Sequence, residues 1–426
     1  MRDFARSESA AVQAQLDRLA RLSVPDGRLG LDTIRALLDR LGNPHRQLPP
    51  VFHVAGTNGK GSTCAFLRAM LEAQGYSVHM TTSPHLVRYN ERIRVAGELI
   101  ADERLAELLA EVLDAGKDLK PSFFEVTIAA AFTEFARVPA DACVVEVGLG
   151  GRFDATNVLE PEVLAACGIA ALGIDHERFL LAPEEGVPSE PIARIAFEKA
   201  GIAKAGVPLA VIAESNPPEA EAMIESVTSK VGAQLIMANS YGNGAIDPEA
   251  QDYPEPGIRG PHQERNAALA HAMLRSQNHL RVEESAIRKG IACASWPARM
   301  QLLKDGPLTA LAGKREVWLD GGHNPNAGQA VATAFAGPMH LILGMLDNKD
   351  PRALTEPLAD RLRTLTIVPV PGHEAHPVEA FGDAARSAAG VEEALRALPK
   401  DDCRVLIAGS LYLAGEVLRL NDELPD

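Results

Sequence analysis

The chain is short of cysteine, of basic charge and of long apolar runs, and each shortage removes a class of protein. Its five cysteines, Cys64, Cys143, Cys167, Cys293 and Cys403, are odd in number, far apart and never in C-x-x-C spacing. That excludes a disulfide scaffold and predicts buried free thiols. Lysine plus arginine number 42 against 57 aspartates and glutamates, a net charge of −15. A general nucleic-acid or anionic-membrane surface needs a concentrated basic face, so any positive region is confined to a local anion site. No stretch approaches the roughly 18 uncharged apolar residues of a membrane span, and Met1-Arg2-Asp3-Phe4 opens no signal-peptide core. The expectation is a cytoplasmic protein that partners neither membrane nor nucleic acid.

What is present is a chain of 426 residues, 46% of them apolar, longer than a single core usually grows, which predicts two domains. Apolar runs alternate with helix-period segments: Val51 to Ala55 then a helix over 62–74, Ala142 to Val147, Leu164 to Ala171, a helix over 190–203, Leu209 to Ala213, and a helix over 217–231. This alternation predicts a parallel sheet covered by helices. Further helices are expected from Pro261 to Ser276 and over 283–291, and a loop rich in Gly, Pro and Asn over 239–260. The pattern breaks near 297–302, and a second series follows: Val317 to Asp320, a helix over 326–336, His340 to Gly344, Thr364 to Val370 and Val405 to Ala408. That series is long enough for an independent α/β domain.

Between the first strand and the first helix of that series lie Gly56-Thr57-Asn58-Gly59-Lys60-Gly61-Ser62. Glycines let backbone N–H groups approach an anion, the helix start offers unpaired donors, and Lys60 adds a compact positive charge. The run departs from the strict Walker pattern, with Val54 where the first glycine belongs and Gly61 at the usual hydroxyl position. It still reads as a cradle for a nucleoside triphosphate.

Other polar clusters end apolar runs. Glu146 interrupts the strand-like Cys143 to Val147 and is either a magnesium ligand at a strand's carboxyl end or a core glutamate paired with an arginine. Gly150 to Asn157, with Arg152, Phe153 and Asp154, suits carboxylate or phosphate recognition as well as an ordinary surface turn. Ser83 offers a hydroxyl that ligates metal or caps a turn. Lys199 and His176, each alone, read as a solvated helix lysine and a turn histidine. Asp320-Gly321-Gly322-His323-Asn324-Pro325 repeats the strand-end pattern in the second half.

Taken in order, these clusters resemble the folylpolyglutamate synthase/dihydrofolate synthase family of the Mur ligase superfamily. The carriers are Gly56 to Ser62, Ser83 to Leu86 with Asn90 to Arg94, Phe124-Glu125, Glu146 to Asn157, Glu198 to Ile202, His262-Gln263 with Asn266, Asp320 to Pro325, and Gly409 to Gly415. The resemblance implies an α/β architecture of two domains. An N-terminal P-loop ATPase-like parallel sheet flanked by helices would fill 1–298, and a smaller C-terminal Rossmann-like domain 299–426. It implies an ATP-dependent ligase that joins L-glutamate to dihydropteroate and to folate tails through an acyl phosphate, acting as a monomer.

By the same resemblance Gly56 to Ser62, Asn266, Arg299 and Asp320 would hold ATP, with Lys60, Lys199 and His323 as catalytic groups. Ser83, Glu146 and His176 would ligate magnesium, two ions being expected. Lys199 would carry a carbamate from CO₂, and Ser122, Phe123, Phe124, Glu125, Arg152, Phe153 and Asp154 would contact the pterin substrate. Three features depart from the family pattern: Ala298 and Met300 flank Arg299, Gly322 stands where alanine is commoner, and extra residues including Pro183 to Pro188 separate His176 from Glu198. A nucleotide-binding switch is the alternative from another class, though a switch has no need of the second-half cluster.

Overall fold

The computed structural model describes residues 6–22, 30–212, 216–239 and 253–425. The chain forms two compact units, one from Met1–Pro84, Arg88–Gly257 and Gln263–Ser295, the other from His85–Val87, Ile258–His262 and Trp296–Asp426.

The first unit is built on an eight-stranded sheet. Its strands are β1 (Val51–Ala55), β2 (Val78–Thr81), β3 (Ile93–Val95), β4 (Glu98–Leu99), β5 (Ala142–Glu146), β6 (Leu164–Ile169), β7 (Pro208–Ile212) and β8 (Gln234–Ala238), in the order β4-β3-β2-β5-β1-β6-β7-β8. All five residues of β1 and all five of β5 are buried, as expected for central strands covered on both faces. The six strands from β2 to β8 run parallel, whereas β3 and β4 pair antiparallel at one edge. The sheet is therefore mixed rather than wholly parallel; its two antiparallel edge strands, three and two residues long, are too short to leave a periodicity in the sequence.

The second unit has a six-stranded sheet of β9 (Gln301–Leu302), β10 (Val317–Leu319), β11 (Met339–Leu343), β12 (Leu362–Ile367), β13 (Ala385–Ser387) and β14 (Arg404–Ala408), in the order β13-β12-β11-β14-β10-β9. Only β9 is antiparallel. Each face carries its own core, one around Leu319, Ile407 and Val417, the other around Trp318, Leu341 and Leu406. Leu86 packs on the first of these. A Cβ at Gly415 would fall 1.9 Å from the Leu86 carbonyl oxygen, so the glycine admits that excursion of chain.

Helix boundaries follow local chemistry. Pro191 opens the helix Pro191–Ala200 with the Glu190 side chain accepting the Ala193 N–H, and Pro325 opens Pro325–Ala334 with Asn324 capping Ala327, since proline has no N–H to leave unpaired there. The helices Asp102–Ala115 and Phe123–Arg137 go beyond the sequence-predicted set. Most of the loop expected over 239–260 lies outside the described residues. Cys64, Cys143 and Cys167 are buried free thiols, but Cys293 is exposed and Cys403 half-buried, because Cys293 is the last residue of its helix and Cys403 lies between Asp402 and Arg404 ahead of β14. Among the described residues no helix is long and apolar enough to cross a membrane.

The helix Lys60–Gln74, which begins in the glycine-rich loop, packs against Glu284–Cys293. The contact is backbone to backbone: a Cβ at Gly290 would lie 2.5 Å from the nitrogen and Cα of Met70. Gly290→Ala should therefore cost about 1–3 kcal/mol, the scale of overpacking, in denaturant unfolding. Gly390→Ala, which meets nothing within 4 Å on extended backbone, should leave the midpoint unchanged.

Candidate functional site

Three adjacent parallel strands bring their carboxyl ends together, β5, β1 and β6. Val54 stands opposite Glu146 on β5, and Ala55 opposite Ile169 on β6. The chain leaving β1 forms the glycine-rich loop, that leaving β5 runs through Val147 to Asp154, and that leaving β6 leads to Asp175 and His176. Their convergence is the ordinary location of a ligand site in an open α/β sheet.

The loop is shaped by contacts that only glycine admits. Gly56, at φ +150°, would drive a Cβ to 2.8 Å from that of Ala170, and Gly59, at φ +84°, would drive one to 2.4 Å from Asn266 Oδ1. Asn266 thus abuts the loop, its amide held by Gln263 Oε1 at 2.9 Å. The Thr57 and Asn58 N–H groups donate to the Ala171 carbonyl, and Thr57 Oγ1 donates to that of Gly173. Gly59 caps Lys60–Gln74, placing Lys60, Gly61 and Ser62 in its first turn.

Two ammonium groups meet at this loop. Lys60 Nζ donates to the Gly56 carbonyl at 3.1 Å and to that of Thr57 at 3.4 Å, while Lys199 Nζ donates to the same Gly56 carbonyl at 3.0 Å. Lys199 is only 4% exposed. This overturns the solvated-lysine reading, because the last turn of Pro191–Ala200 faces inward. Burial first, then the charge of Lys60, pulls the Lys199 amine down to about 7, against the opposing pull of Asp175, Asp154 and Glu198. Lys60, Lys199, Asp175 and His176 line one cavity with Gly56, Thr57 and the stretch Val147–Gly150. His176 also caps a short helix with a left-handed backbone at φ +54°, so the turn role and the cavity position coexist.

Glu146, 5% exposed, accepts the Ser83 N–H at 3.0 Å, which brings Ser83 and Glu146 to the end of β5 just before the cavity wall. Phe124 reaches the same wall, since a Cβ on Gly148 would lie 2.4 Å from its ring. Ser122 and Glu125 form a reciprocal cap at the start of Phe123–Arg137. Phe123 packs edge-on to Tyr89, with the Arg92 guanidinium 5.4 Å from its ring centroid. Arg152 lies over Phe153 at 4.2 Å and pairs with Glu198 and Glu184.

Asp154 is buried and accepts the Leu149 N–H at 2.8 Å, the Thr156 N–H at 3.0 Å and the Thr156 hydroxyl at 2.5 Å. The same hydroxyl lies 2.8 Å from His53 Nε2. With its proton given to Asp154, Thr156 accepts, so Nε2 of His53 carries the imidazole proton. Burial chiefly, with Lys204 adding, holds His53 down to about 3 and hence neutral. His53 and Thr156 are missing from the sequence-derived site. The signal for His53 is its place as the one ionisable side chain in a buried strand, which demands a partner.

In the second unit, Asp320 follows β10 and ties down two turns: Oδ1 accepts the Gly322 N–H at 2.7 Å and Oδ2 the Met300 N–H at 2.9 Å. Arg299 donates to the Ala298 carbonyl, between two non-glycine residues of left-handed backbone, Ala298 at φ +54° and Met300 at φ +44°. His323 Nδ1 lies 3.3 Å from the Gly321 carbonyl. Arg299, Asp320 and His323 thus share one strand-end cluster, and the remaining sequence-derived site residues belong to the first unit.

Thr156→Val should strand the buried His53 N–H and take one of three donors from Asp154, at a cost of about 1–3 kcal/mol, read from denaturant unfolding. Thr156→Ser, which keeps the hydroxyl, should recover most of that loss.

No protein-family model matches the chain. Its sequence is 33% identical over 415 residues to the dihydrofolate synthase/folylpolyglutamate synthase of Escherichia coli (strain K12), covering 92% of each chain. Among solved structures, E. coli FolC in complex with DHPP and ADP superposes with a TM-score of 0.82 at 30% identity, over 98% of this chain and 99% of that one. The Yersinia pestis bifunctional folylpolyglutamate synthase/dihydrofolate synthase complexed with AMPPNP and Mn ion gives 0.80 at 27% identity, over 98% and 99%. With that identity spread along nearly its whole length and matched by its fold, the chain belongs to the folylpolyglutamate synthase/dihydrofolate synthase family.

Proposed function

We propose that this protein is an ATP-dependent ligase that joins L-glutamate to dihydropteroate, forming dihydrofolate, and to the glutamate tails of folates. The observation that carries the reading is the shared cavity in which a glycine-rich loop and Lys60 meet Lys199, His176 and the chain beyond Glu146. Support also comes from the relatives' names and from their complexes with DHPP, ADP, AMPPNP and manganese. Residues 1–298 would form the ATP-binding domain and 299–426 the glutamate-ligating domain, in a cytoplasmic monomer.

The chemistry asks for what these residues offer. A carboxylate is a poor electrophile, so its oxygen attacks the γ-phosphorus of ATP, releasing ADP and leaving an acyl phosphate. The amine of glutamate then attacks the acyl carbon, phosphate departs with the C–O bond pair, and the nitrogen loses a proton. Charge accumulates on the transferring phosphoryl group, where Lys60 and the amides of Gly59 to Ser62 supply fixed positive ends. Asn266, Arg299 and Asp320 would orient the nucleotide and His323 would serve its phosphates. Ser122 to Glu125 and Arg152 to Asp154 would hold the pterin-bearing substrate.

Ser83 and Glu146 offer a hydroxyl and a buried carboxylate, oxygen donors that fit a hard divalent cation, and His176 would add an imidazole nitrogen. Magnesium there, as two ions, would offset phosphate charge. Lys199 suits a carbamate because its amine is buried and its proton is weakly held, and only the neutral amine adds CO₂. A carbamate would turn a repelling cation into an anion next to the metal ligands.

ADP release should require both L-glutamate and an acceptor, with dihydropteroate and tetrahydrofolate assayed separately. Release that ignores glutamate would overturn the reading, and turnover with tetrahydrofolate alone would restrict it to tail extension. Lys60→Ala should lower kcat by about 10²–10³, as for a lost oxyanion donor. Removing CO₂ should lower activity and bicarbonate restore it, more effectively above than below about pH 7, where Lys199 loses its proton; Lys199→Ala should show no such rescue.

A further inference from the structure

Four charged side chains form a cluster on the flank of the cavity. Arg152 lies two residues beyond the Gly150 wall, and Glu198 one residue before Lys199. Arg152 Nε and one terminal nitrogen donate to the two oxygens of Glu198 at 3.1 and 2.8 Å. Its terminal nitrogens also donate to the two oxygens of Glu184, at 3.0 and 2.5 Å. Four of the five N–H donors of a guanidinium are thereby engaged. Arg194 adds contacts to Glu184 at 2.9 Å and to Glu198 at 3.0 Å. Two arginines and two glutamates leave the cluster neutral.

The two carboxylates are not equivalent. Glu198 is 6% exposed, on the helix that carries Lys199, and its backbone carbonyl also accepts the Arg152 N–H. Glu184 is 40% exposed and belongs to the connection between Leu180 and Pro191. Glu198 therefore fixes the arginine, whereas Glu184 covers the side of it that faces water. A guanidinium takes a carboxylate in this same paired geometry, so an incoming carboxylate competes with Glu184 for one face.

We infer that Glu184 is a specificity-determining residue: it occupies the bidentate face of Arg152 and so weakens binding of substrates that carry additional carboxylates. The inference rests on the proposed function, in which Arg152 contacts substrate. Dihydropteroate has one carboxylate, the group to be activated, and gains nothing from a vacated arginine. A folate with a glutamate tail has further carboxylates and gains from it. Hydrogen bonding from Arg152, against partial burial, holds the Glu184 carboxyl below its ordinary value, so the competitor stays charged at neutral pH.

The test is binding and turnover of Glu184→Gln against the parent protein, with dihydropteroate, tetrahydrofolate and tetrahydrofolate triglutamate as probes. Removing a half-exposed, solvent-screened pair should tighten triglutamate about three- to fivefold, in both Kd and KM. Tetrahydrofolate should improve less, dihydropteroate should not change, and kcat should hold. The gain should shrink in high salt and vanish in an Arg152→Ala background, which a merely structural role for Glu184 would not produce. Equal affinities for triglutamate in parent and Glu184→Gln, with the parent active, would overturn the inference alone. A parent that binds none of the three probes and releases no ADP would overturn the proposed function with it.

Discussion

Two lysine ammonium groups converge on a single backbone carbonyl, that of Gly56, and the rest of the first unit is arranged to keep them there. One of them, Lys199, is buried, so it has lost the water that normally supports its charge, and Lys60 repels what remains. Such an arrangement is costly in a protein with no anion to receive. It becomes favourable once negative charge enters the cavity beside the amides of the glycine-rich loop. Lys60 and the loop amides hold positive charge ready for phosphate inside a chain whose net charge is −15, while the weakly held proton of Lys199 leaves its amine ready for the proposed carbamate.

The supports of that arrangement are mechanical as well as electrostatic. Gly56 and Gly59 let the loop pass against Ala170 and Asn266, where any side chain would collide. On the opposite wall Asp154 holds the Leu149 amide, and a buried relay from His53 through Thr156 holds Asp154. Because His53 belongs to β1, the strand that launches the phosphate loop also anchors the loop after β5. The two walls of the cavity thus share one strand as their reference.

Much of the fold is legible in the sequence because long apolar runs and proline-initiated helices carry strong local signals. The central strands and the helices at 60–74, 191–200, 218–231 and 325–334 lie within a few residues of the boundaries that periodicity predicts. The edge strands β3, β4 and β9 are two or three residues long, and their antiparallel pairing is set by tertiary contacts that leave no periodic trace. In the site, glycine spacing makes the phosphate loop readable, and the resemblance of clusters in order supplies the rest. Lys199 is different: nothing in Phe197-Glu198-Lys199-Ala200 says that the helix turns its lysine inward, since burial depends on the packing of Gly201 against Arg152. The Arg152–Glu184 pair is equally silent in sequence, joining residues 32 apart through a loop.

The measurement closest to the centre of this account is the titration of the Lys199 amine, followed by NMR of isotopically labelled lysine in the nucleotide-free protein without CO₂. A midpoint near 7 that rises when Lys60 is replaced by methionine is the predicted result. A midpoint at the ordinary lysine value of about 10.4, indifferent to Lys60, would contradict it.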